Sequence, residues 1–551
     1  MVPMSDRWFK EAVIYSVEVE TFLDTNADGW GDLPGLVSRL DYLSRLGVTA
    51  LWLNPIHATP NRDDGYDVTD YYSVAPRLGT LGDFVDLVHE ADSRGIRVMI
   101  DLVVNHTSLE HPWFQSARSD EDSPYRDWYV WSKTRPSDIK QGVVFPHHQA
   151  TTWSRDRKAR AWYYHRFYDF EPDLNFANPR VREEVKRVIG FWLQLGVAGF
   201  RIDAAPFMIE LTRPDDPNAT KDFEFLTELH DQAAWRRGDT VMLAEANVPE
   251  GELPEYFGDG DRMTMLFNFL LNQQVFLALA RGDAAPLRRG IEETPSVPGT
   301  CQWATFLRNH DELDLSRLEQ NEREEVFDAF GPDDDMQLYD RGIRRRLAPM
   351  LGGDRRRLEL AYSLQFTLPG TPVLRYGEEI GMGDDLALPE RNAIRTPMQW
   401  NDEQNGGFSS APRDELVRPV ISDGDYGFER LNVAAQRRDP SSLLSWMERT
   451  LHTLRECPEF GTGTPRIVDV RHPSVFALVS EAPSGAVLAL HNLSDRAVNV
   501  DLGRLPEQRD AIPCDVFADG SRYECVDEKL CGIRLDPLGY RWIRLRATPG
   551  S

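Results

Sequence analysis

Short apolar runs that end in polar residues alternate along this chain with amphipathic helical segments, and this alternation limits the folds open to it. Runs rich in Val, Ile and Leu read as buried strands: VIYSVEV (13–19), ALWLNPI (50–56), IRVMIDLVVNH (96–106), GFRIDAA (199–205), VMLAEAN (241–247), QWATFLRNH (302–310) and PVLRYGEEI (372–380). MLFNFLL (265–271) supplies one more strand. Strand followed by helix, repeated, predicts parallel βαβ units. We therefore predict an α/β fold, a (β/α)8 TIM barrel, because polar strand ends meet at the catalytic face of such a barrel.

Two regions depart from this pattern and predict further domains. Residues 107–170 form an aromatic stretch that is too long for an ordinary βα loop, so we expect an inserted lid subdomain over the barrel mouth. Beyond residue 464, short alternating runs separated by Gly, Pro, Asp and Asn predict a C-terminal antiparallel β-domain, a β-sandwich, over 465–551. The catalytic barrel then comprises 1–106 and 171–464.

Charge and cysteine content bear on partners and compartment. The net charge of −27 disfavours nucleic acid and anionic membranes as partners. No apolar run is long enough to span a bilayer, and the N-terminal residues lack the pattern of a signal peptide. The five cysteines fit no zinc-site spacing. We expect a cytoplasmic protein that binds small molecules, with neither nucleic acid nor membrane as partner; association into a homo-oligomer stays open.

Three carboxyl residues stand at the polar ends of predicted strands. Asp203 ends GFRID, Glu245 ends VMLAE, and Asp311 follows RNH, so a barrel would bring them to one face. Arg201, two residues before Asp203, points to the same side of its strand and would keep that carboxylate ionised. Such a cluster suits glycoside chemistry, in which one carboxylate attacks and a second, protonated, donates to the leaving oxygen. The alternatives are a metal site, which the intervening Arg201 disfavours, and a buried ion network of purely structural value.

The segments around these residues resemble the motif regions of glycoside hydrolase family 13, the α-amylase family. They are DLVVNH (101–106), EPDLN (171–175), GFRIDAAP (199–206), MLAEAN (242–247) and FLRNHDE (306–312). The resemblance runs in order along almost the whole chain. It implies that Asp203 is the nucleophile, Glu245 the general acid/base and Asp311 the transition-state stabiliser. It further implies substrate contacts around the glucosyl ring from Arg201, His106 and His310.

Two further motifs resemble those of exo-acting members of the family. DDGYDVTDYY (63–72) follows the second strand and NAIRTPMQW (392–400) follows the last. By this resemblance Asp63 and Arg395 pair across the blind end of the pocket and hold a terminal glucose. Tyr66 would stack on that ring, its alternative role being a packing aromatic. The substrate implied is a short α-glucoside.

Within the family the chain is most similar to trehalose synthases, chiefly through FLRNHDELDL and GIRRRLAPML. This implies interconversion of maltose and trehalose through a covalent glucosyl–Asp intermediate, with water excluded while free glucose waits. VEVETF, ANVPEGELPEY, LRYGEE and Glu171 in EPDLN depart from the subfamily pattern and leave the acceptor open. The alternatives are a hydrolytic α-glucosidase or transglucosidase on maltose, sucrose or other short α-glucosides, and a non-catalytic sugar-binding or scaffold member.

DTNADGWGD (24–32) resembles the calcium loop that follows the first strand in many exo-acting members. Its side-chain oxygens and one carbonyl offer ligands: Asp24, Asn26, Asp28, the Trp30 carbonyl and Asp32. The twelfth position is Gly35 rather than Glu, so the loop is not a complete EF-hand. We predict a structural Ca2+, with Mg2+ as a second option; the alternative is an Asx-rich turn without metal. A second metal site would use Asn105 and Asp173, which match family positions that link barrel and insert.

Overall fold

Eight parallel strands close into a barrel in the computed structural model, which describes residues 7–137, 139–213, 216–503, 505, 513–517, 523, 525–526 and 529–545. The barrel strands are β1 (Ile14–Val17), β2 (Ala50–Leu53), β3 (Arg97–Leu102), β4 (Gly199–Ile202), β5 (Val241–Ala244), β6 (Met265–Phe267), β7 (Gln302–Thr305) and β8 (Thr371–Arg375). Neighbours in sequence are neighbours in space, and Ile14 closes the ring between Ala50 of β2 and Val373 of β8. The predicted (β/α)8 barrel is confirmed.

The strand runs were predicted too long at their C-terminal ends. In MLFNFLL only Met265–Phe267 is strand, because a helix begins at Phe269. Asn268 caps that helix, its side chain accepting a hydrogen bond from the Leu271 amide at 2.9 Å. Because the strands end early, the polar residues that follow them lie in loops at the barrel mouth.

Alternation along each strand fills two different cores. Ile14, Trp52 and Met99 belong to a buried cluster inside the barrel. Tyr15 and Val17, whose side chains point the other way from β1, belong to the larger cluster beneath the surrounding helices. Strands buried on both faces are what the continuous apolar runs predict.

Helices surround the barrel and connect its strands. The α-helices are Leu33–Ser38, Leu40–Leu46, Leu81–Asp92, Pro112–Ser119, Pro179–Gln194, Ala205–Ile209, Glu224–Arg236, Leu253–Phe257, Phe269–Arg281, Ala285–Glu293, Gln320–Phe330, Leu347–Met350, Arg355–Thr367, Val433–Arg438, Leu443–Arg455 and Glu459–Thr462. Leu81–Asp92 shows how local sequence starts them: the Thr80 hydroxyl accepts from the Asp83 amide, and the Asp83 carboxylate accepts from the Thr80 amide.

The segment between β3 and β4 carries the helix Pro112–Ser119 and a small antiparallel sheet. The sheet strands are Trp131–Ser132, Ala161–Tyr164 and Trp153–Asp156, in that spatial order. Phe114 stacks on Trp131 with ring centroids 5.5 Å apart, and Tyr163 meets Phe114 edge-on. Aromatic contacts thus give this insert a core of its own.

The C-terminal region is antiparallel, as predicted. Its main sheet has the order Thr464–Ile467, Val475–Ala482, Gly485–Asn492, Tyr540–Leu545 and Cys514–Asp515. Smaller strand pairs lie beside it: Val498–Val500 with Ile533–Leu535, and Cys525–Val526 with Lys529–Leu530. Trp542, fully buried, donates from its indole nitrogen to the Ser363 hydroxyl of a barrel helix at 2.9 Å, which joins the two domains.

Short strands also shape the loops of the barrel. They are His57–Ala58 with Asp70–Val74, Glu210–Arg213 with Asp216–Lys221, and Leu313–Asp314 with Gly342–Ile343 and Gln337–Leu338. Within the described ranges we find no helix with both the length and the apolar character needed to cross a bilayer.

Candidate active site

A cavity of about 430 Å3 opens at the C-terminal ends of the barrel strands, and it brings the three predicted carboxylates together. Asp203 directly follows β4, Glu245 directly follows β5, and Asp311 lies in the loop after β7. Ala204 adopts a left-handed conformation (φ 50°), which turns the chain sharply from β4 into the next helix. Such backbone in a non-glycine residue is costly and is commonly found at functional sites.

Arg201 connects two of these carboxylates through a single guanidinium. Its Nη1 donates to Asp203 Oδ1 at 2.6 Å and to Asp101 Oδ1 at 2.8 Å, while its Nη2 donates to Glu245 Oε2. The Arg201 side chain is only 2% exposed, so these contacts are shielded from water. Asp203 and Glu245 are therefore close neighbours, as the register between β4 and β5 requires.

The protonation of the carboxylates is set by burial and by their neighbours. Burial, with added repulsion from Asp203 and Asp311, outweighs the attraction of Arg201 and raises the pKa of Glu245 to about 8. Burial also raises the pKa of Asp203, with Arg201 opposing the shift. Glu245 therefore holds a proton at neutral pH, which is the form that a general acid requires.

Asp311 lies in the opposite electrostatic environment. Burial alone would raise its pKa, but His310, Arg391 and Arg395 more than compensate and hold that pKa well below the usual range. Its Oδ1 accepts from Arg391 at 2.8 Å and from Arg395 at 3.0 Å, and its Oδ2 lies 3.1 Å from His310 Nε2. Asp311 is thus a fixed negative charge beside Asp203 and Glu245.

Tyr66 and His310 form one wall of the site. Their rings stack with centroids 5.7 Å apart, and Tyr66 Oη lies 2.6 Å from His310 Nε2. Tyr66 lines the cavity at 6% exposure, so its packing role is shown, and its stacking on a bound sugar stays a prediction.

The blind end of the cavity is closed by arginine–aspartate pairs, but not by the predicted pair. Asp63 Oδ1 accepts from Arg391 at 3.0 Å, and Arg395 bonds instead to Asp64 and Asp311. The predicted contact between Asp63 and Arg395 is therefore wrong. Asp64 has a left-handed backbone (φ 48°), so adjacent aspartates reach different arginines.

Several residues of this closure were missed by the sequence analysis. Arg418 donates to Glu20 Oε1 at 2.8 Å and to Asp64, far away in the chain. Burial would raise the pKa of Asp64, but Arg418 and Arg395 lower it to about 2. The doubled aspartate in DDGYD and the two arginines in ERNAIR were visible in the sequence, whereas nothing there linked residue 418 to residue 64.

His106 and Glu171 line the side of the cavity toward the insert. His106 Nε2 donates to the Tyr66 carbonyl at 3.2 Å and lies 3.9 Å from Glu171 Oε1. Burial lowers the pKa of His106 to about 4, so it is neutral. Phe145, Phe167 and Phe207 add apolar surface to the cavity, which His106 and Glu171 border with polar groups. The site can therefore contact both faces and edges of a sugar ring.

The loop Asp24–Asp32 closes upon itself. Asp24 Oδ1 accepts from the amides of Asn26 and Ala27, and its Oδ2 accepts from Gly29 and Ser409. These bonds occupy the four acceptor positions of a carboxylate.

The side chains of the other candidate ligands in this loop are likewise hydrogen-bonded. Asp28 Oδ1 accepts from the Trp30 amide at 2.9 Å, and its Oδ2 accepts from the Asn26 side chain at 3.0 Å. Asp32 caps the helix Leu33–Ser38 through the Gly35 amide. The donor set as it stands is an Asx-turn network into which a cation would enter only by displacing hydrogen bonds.

The second predicted metal position joins barrel and insert by hydrogen bonds. His106 forms an isolated bridge with Asp173, and Asp173 Oδ1 accepts from the Arg166 amide at 2.8 Å. Asn105 is buried beside them. No cluster of three or more His, Cys, Asp and Glu side chains arranged for a metal occurs among the residues that the structure describes. Metal binding at both places stays a prediction.

Comparison with known proteins agrees with this geometry. The family described as alpha amylase, catalytic domain, matches residues 16–329 and 343–460. A trehalose synthase of Thermus thermophilus is 44% identical over 518 residues, which is 94% of this chain and 53% of that protein, so the chain spans about half of that relative. A trehalose synthase/amylase of Mycobacterium tuberculosis is 43% identical over 90% of this chain and 83% of its own length. Among solved structures, an α-amylase from H. orenii superimposes with a TM-score of 0.79 at 28% identity, covering 98% of this chain and 100% of that one.

Proposed function

The chain belongs to the α-amylase family of glycoside hydrolases, and from this premise we propose that it is a retaining exo-acting enzyme that interconverts maltose and trehalose. The observation that carries the proposal is the placement of Asp203 and Glu245 on one buried guanidinium. Retention requires carboxyl groups about 5–5.5 Å apart, one acting as nucleophile and the other as acid. The roles given to Asp203, Glu245 and Asp311 are part of the proposal.

In the first half-reaction an Asp203 oxygen forms a bond to the anomeric carbon as the glycosidic bond breaks. The Glu245 proton passes to the departing oxygen, which becomes a hydroxyl of free glucose. The charge of Asp311 stabilises the positive character that develops on the glucosyl ring. Asp203 is left esterified and Glu245 ionised.

In the second half-reaction the released glucose rotates and attacks through a different hydroxyl. Glu245 removes the proton of that hydroxyl, the new glycosidic bond forms, and the bond from Asp203 to the sugar breaks. Maltose becomes trehalose when the anomeric hydroxyl attacks, and the reverse path regenerates maltose. Atoms balance without a water molecule, so the outcome depends on excluding water.

Contact between the insert and a barrel loop beside the cavity supports transfer to sugar over transfer to water. The insert contributes Val144, Phe145 and Phe167 to the lining, opposite the barrel loops. Arg341 Nη1 donates to the Val144 carbonyl at 2.8 Å and its Nη2 donates to Glu312 at 3.0 Å, so barrel loop and insert are held together over the site.

A hydrolytic α-glucosidase or transglucosidase is the second candidate, and one observation favours it. Asn247, Val248 and Pro249 line the cavity, and they belong to a segment that departs from the trehalose synthase pattern. Different side chains there would change which acceptor fits and how well water is kept out.

Proton NMR of the products formed from maltose tests the proposal. Trehalose that accumulates faster than free glucose is the expected result. Formation of glucose alone, or of longer oligosaccharides, would show that the enzyme is a hydrolase or transglucosidase and not an isomerase. An inactive wild type on a panel of short α-glucosides, together with measurable sugar binding, would instead indicate a non-catalytic member of the family.

The remaining partners follow from the same site. We propose short α-glucosides as ligands and a structural Ca2+ at the loop Asp24–Asp32, with a role in holding the loop and none in the chemistry. The loop follows β1 at the barrel mouth, and Asp24 lies beside Ser409, so an ion that replaced some of these hydrogen bonds would hold the loop near a distant part of the chain.

A further inference from the structure

Two adjacent residues, Glu390 and Arg391, face in opposite directions at the edge of the active site. Arg391 points inward, where it donates to Asp311 and Asp63. Glu390 points outward to the insert, and its backbone is left-handed (φ 44°), which allows the two side chains to diverge. One stretch of chain therefore contacts both the reacting centre and its cover.

The outward contacts of Glu390 converge on one carboxylate. Its Oε2 accepts from the Tyr168 hydroxyl at 2.7 Å and from the Tyr339 hydroxyl at 2.6 Å, and its Oε1 lies 3.3 Å from His148 Nδ1. Tyr168 and His148 belong to the insert, whereas Tyr339 belongs to the loop after β7. Glu390 thus bonds two regions far apart in sequence, the insert and the loop after β7. We call these four residues the clasp.

The clasp continues into the cavity wall. Phe145 stacks against Tyr168 with ring centroids 5.0 Å apart, and it packs against the tilted ring of Tyr339 with centroids 4.9 Å apart. The Arg391 guanidinium lies over the Phe145 ring, 5.1 Å from its centroid. Phe145 lines the cavity, so a movement of the clasp would move both the wall and Arg391.

The backbone of Glu390 is held firmly enough to transmit such a contact. Arg344 Nη1 donates to the carbonyls of Glu390 at 3.0 Å and Leu388 at 2.9 Å, and its Nη2 donates to Leu386 at 2.6 Å. Arg344 is buried, so its hydrogen bonds to these carbonyls are shielded from water.

From this arrangement we propose that Glu390 is a positioning residue that couples closure of the insert to the seating of Arg391 against Asp311. This inference rests on the proposed function: the clasp determines the ratio in which the glucosyl group is transferred to glucose and to water. Loss of the clasp loosens the insert, admits water and displaces the arginine that compensates Asp311.

The test compares Glu390→Ala, Glu390→Gln and the double variant Tyr168→Phe/Tyr339→Phe with the full-length wild type. The ratio of glucose to trehalose formed from maltose is measured by NMR, together with kcat and KM. We expect the ratio to rise about tenfold in Glu390→Ala, the size of losing hydrogen bonds to a charged group, with a fall in kcat. Glu390→Gln keeps an acceptor for both tyrosines and should recover a ratio within about threefold of wild type.

Asp340→Asn is the matched control, because Asp340 also bonds the insert, through His147 at 3.0 Å, but both side chains are largely exposed. An exposed pair of this kind contributes little, so product ratio and rate should not change. A wild-type ratio in both Glu390→Ala and the double tyrosine variant, with folding verified by circular dichroism, would overturn the proposal. An equal change in Asp340→Asn would also overturn it.

Hydrogen exchange over residues 139–149 separates failure of this inference from failure of the proposed function. Faster exchange there in Glu390→Ala but not in Asp340→Asn supports the clasp whichever products the wild type forms. If the wild type makes glucose and no trehalose, the proposed isomerase is wrong, and unchanged exchange in Glu390→Ala would additionally reject the clasp.

Discussion

The loop Asp24–Asp32 and the barrel mouth are both rich in carboxylates, but the carboxylates of the two regions have different hydrogen-bond donors. Asp24 is surrounded by amide hydrogens of its own loop and by one serine hydroxyl. Asp203 is bonded by Arg201, two residues earlier on its own strand, and Asp311 by Arg391 and Arg395 from a loop far away in the chain. A carboxylate bonded by amides stabilises a turn. Buried carboxyl groups beside arginines acquire shifted pKa values, raised for Glu245 and lowered for Asp311, and such a difference is what glycosidic chemistry uses.

The largest difference between these two regions should appear when an acid is replaced by its amide. Asp203→Asn removes the proposed nucleophile and should lower kcat on maltose by roughly 10⁴-fold or more, with the fold intact. Asp28→Asn makes the same chemical change in the loop and should leave kcat within about twofold, since a surface substitution has small effects. Initial rates by NMR and circular dichroism measure both. Full activity in Asp203→Asn would contradict the mechanism.

The arginine–aspartate closure predicts a large effect on stability. Asp64→Ala leaves Arg395 and Arg418 without their common partner and should lower the free energy of unfolding by about 3–5 kcal/mol. Asp63→Ala removes a partner only from Arg391, which still bonds Asp311. It should therefore lower the free energy of unfolding by less than Asp64→Ala does, while weakening substrate binding. Urea unfolding and KM for maltose separate the two variants. A larger loss of stability in Asp63→Ala than in Asp64→Ala would contradict this ranking of the two pairs.

The raised pKa of Glu245 predicts the alkaline limit of activity. The acid form donates the proton, and its population falls as pH rises through a pKa of about 8, so kcat/KM should decrease about tenfold per pH unit above that value. Asp28 is remote from Glu245, so Asp28→Asn should leave the alkaline decrease in kcat/KM at the same pH. Glu245→Gln should lose this pH dependence together with most of the activity. A decrease in kcat/KM that begins below pH 6 would show that burial does not keep Glu245 protonated.

The smallest effect concerns the loop and its proposed ion. Calcium should raise the melting temperature of the wild type by about 1–3 °C over a chelator-treated sample, because an ion that binds the folded chain stabilises it. Asp24→Ala should abolish this response while leaving kcat on maltose near wild type. Equal melting temperatures with calcium and with chelator would show that the Asx-turn hydrogen bonds hold the loop without a metal ion.

Much of the architecture could be predicted because it rests on local patterns. Runs buried on both faces, spaced by amphipathic helices, predicted all eight barrel strands, and the polar residues after them predicted where Asp203, Glu245 and Asp311 would meet. The position of Arg201 relative to Asp203 followed from the two-residue period of a strand. Strand ends were overestimated, as in MLFNFLL, because apolar character continues from strand into helix.

The sequence by itself therefore determined the barrel, its antiparallel C-terminal domain and the cluster of catalytic-type carboxylates, since period and order along the chain suffice for these. Only the tertiary structure decided the partners: Arg391 rather than Arg395 for Asp63, Arg418 for Asp64, and Tyr168 with Tyr339 for Glu390. These contacts join loops that are distant in sequence, and left-handed backbone at Asp64 and Glu390 selects the direction of each side chain. No periodicity encodes such a choice, because it depends on how separately folded loops meet over the barrel.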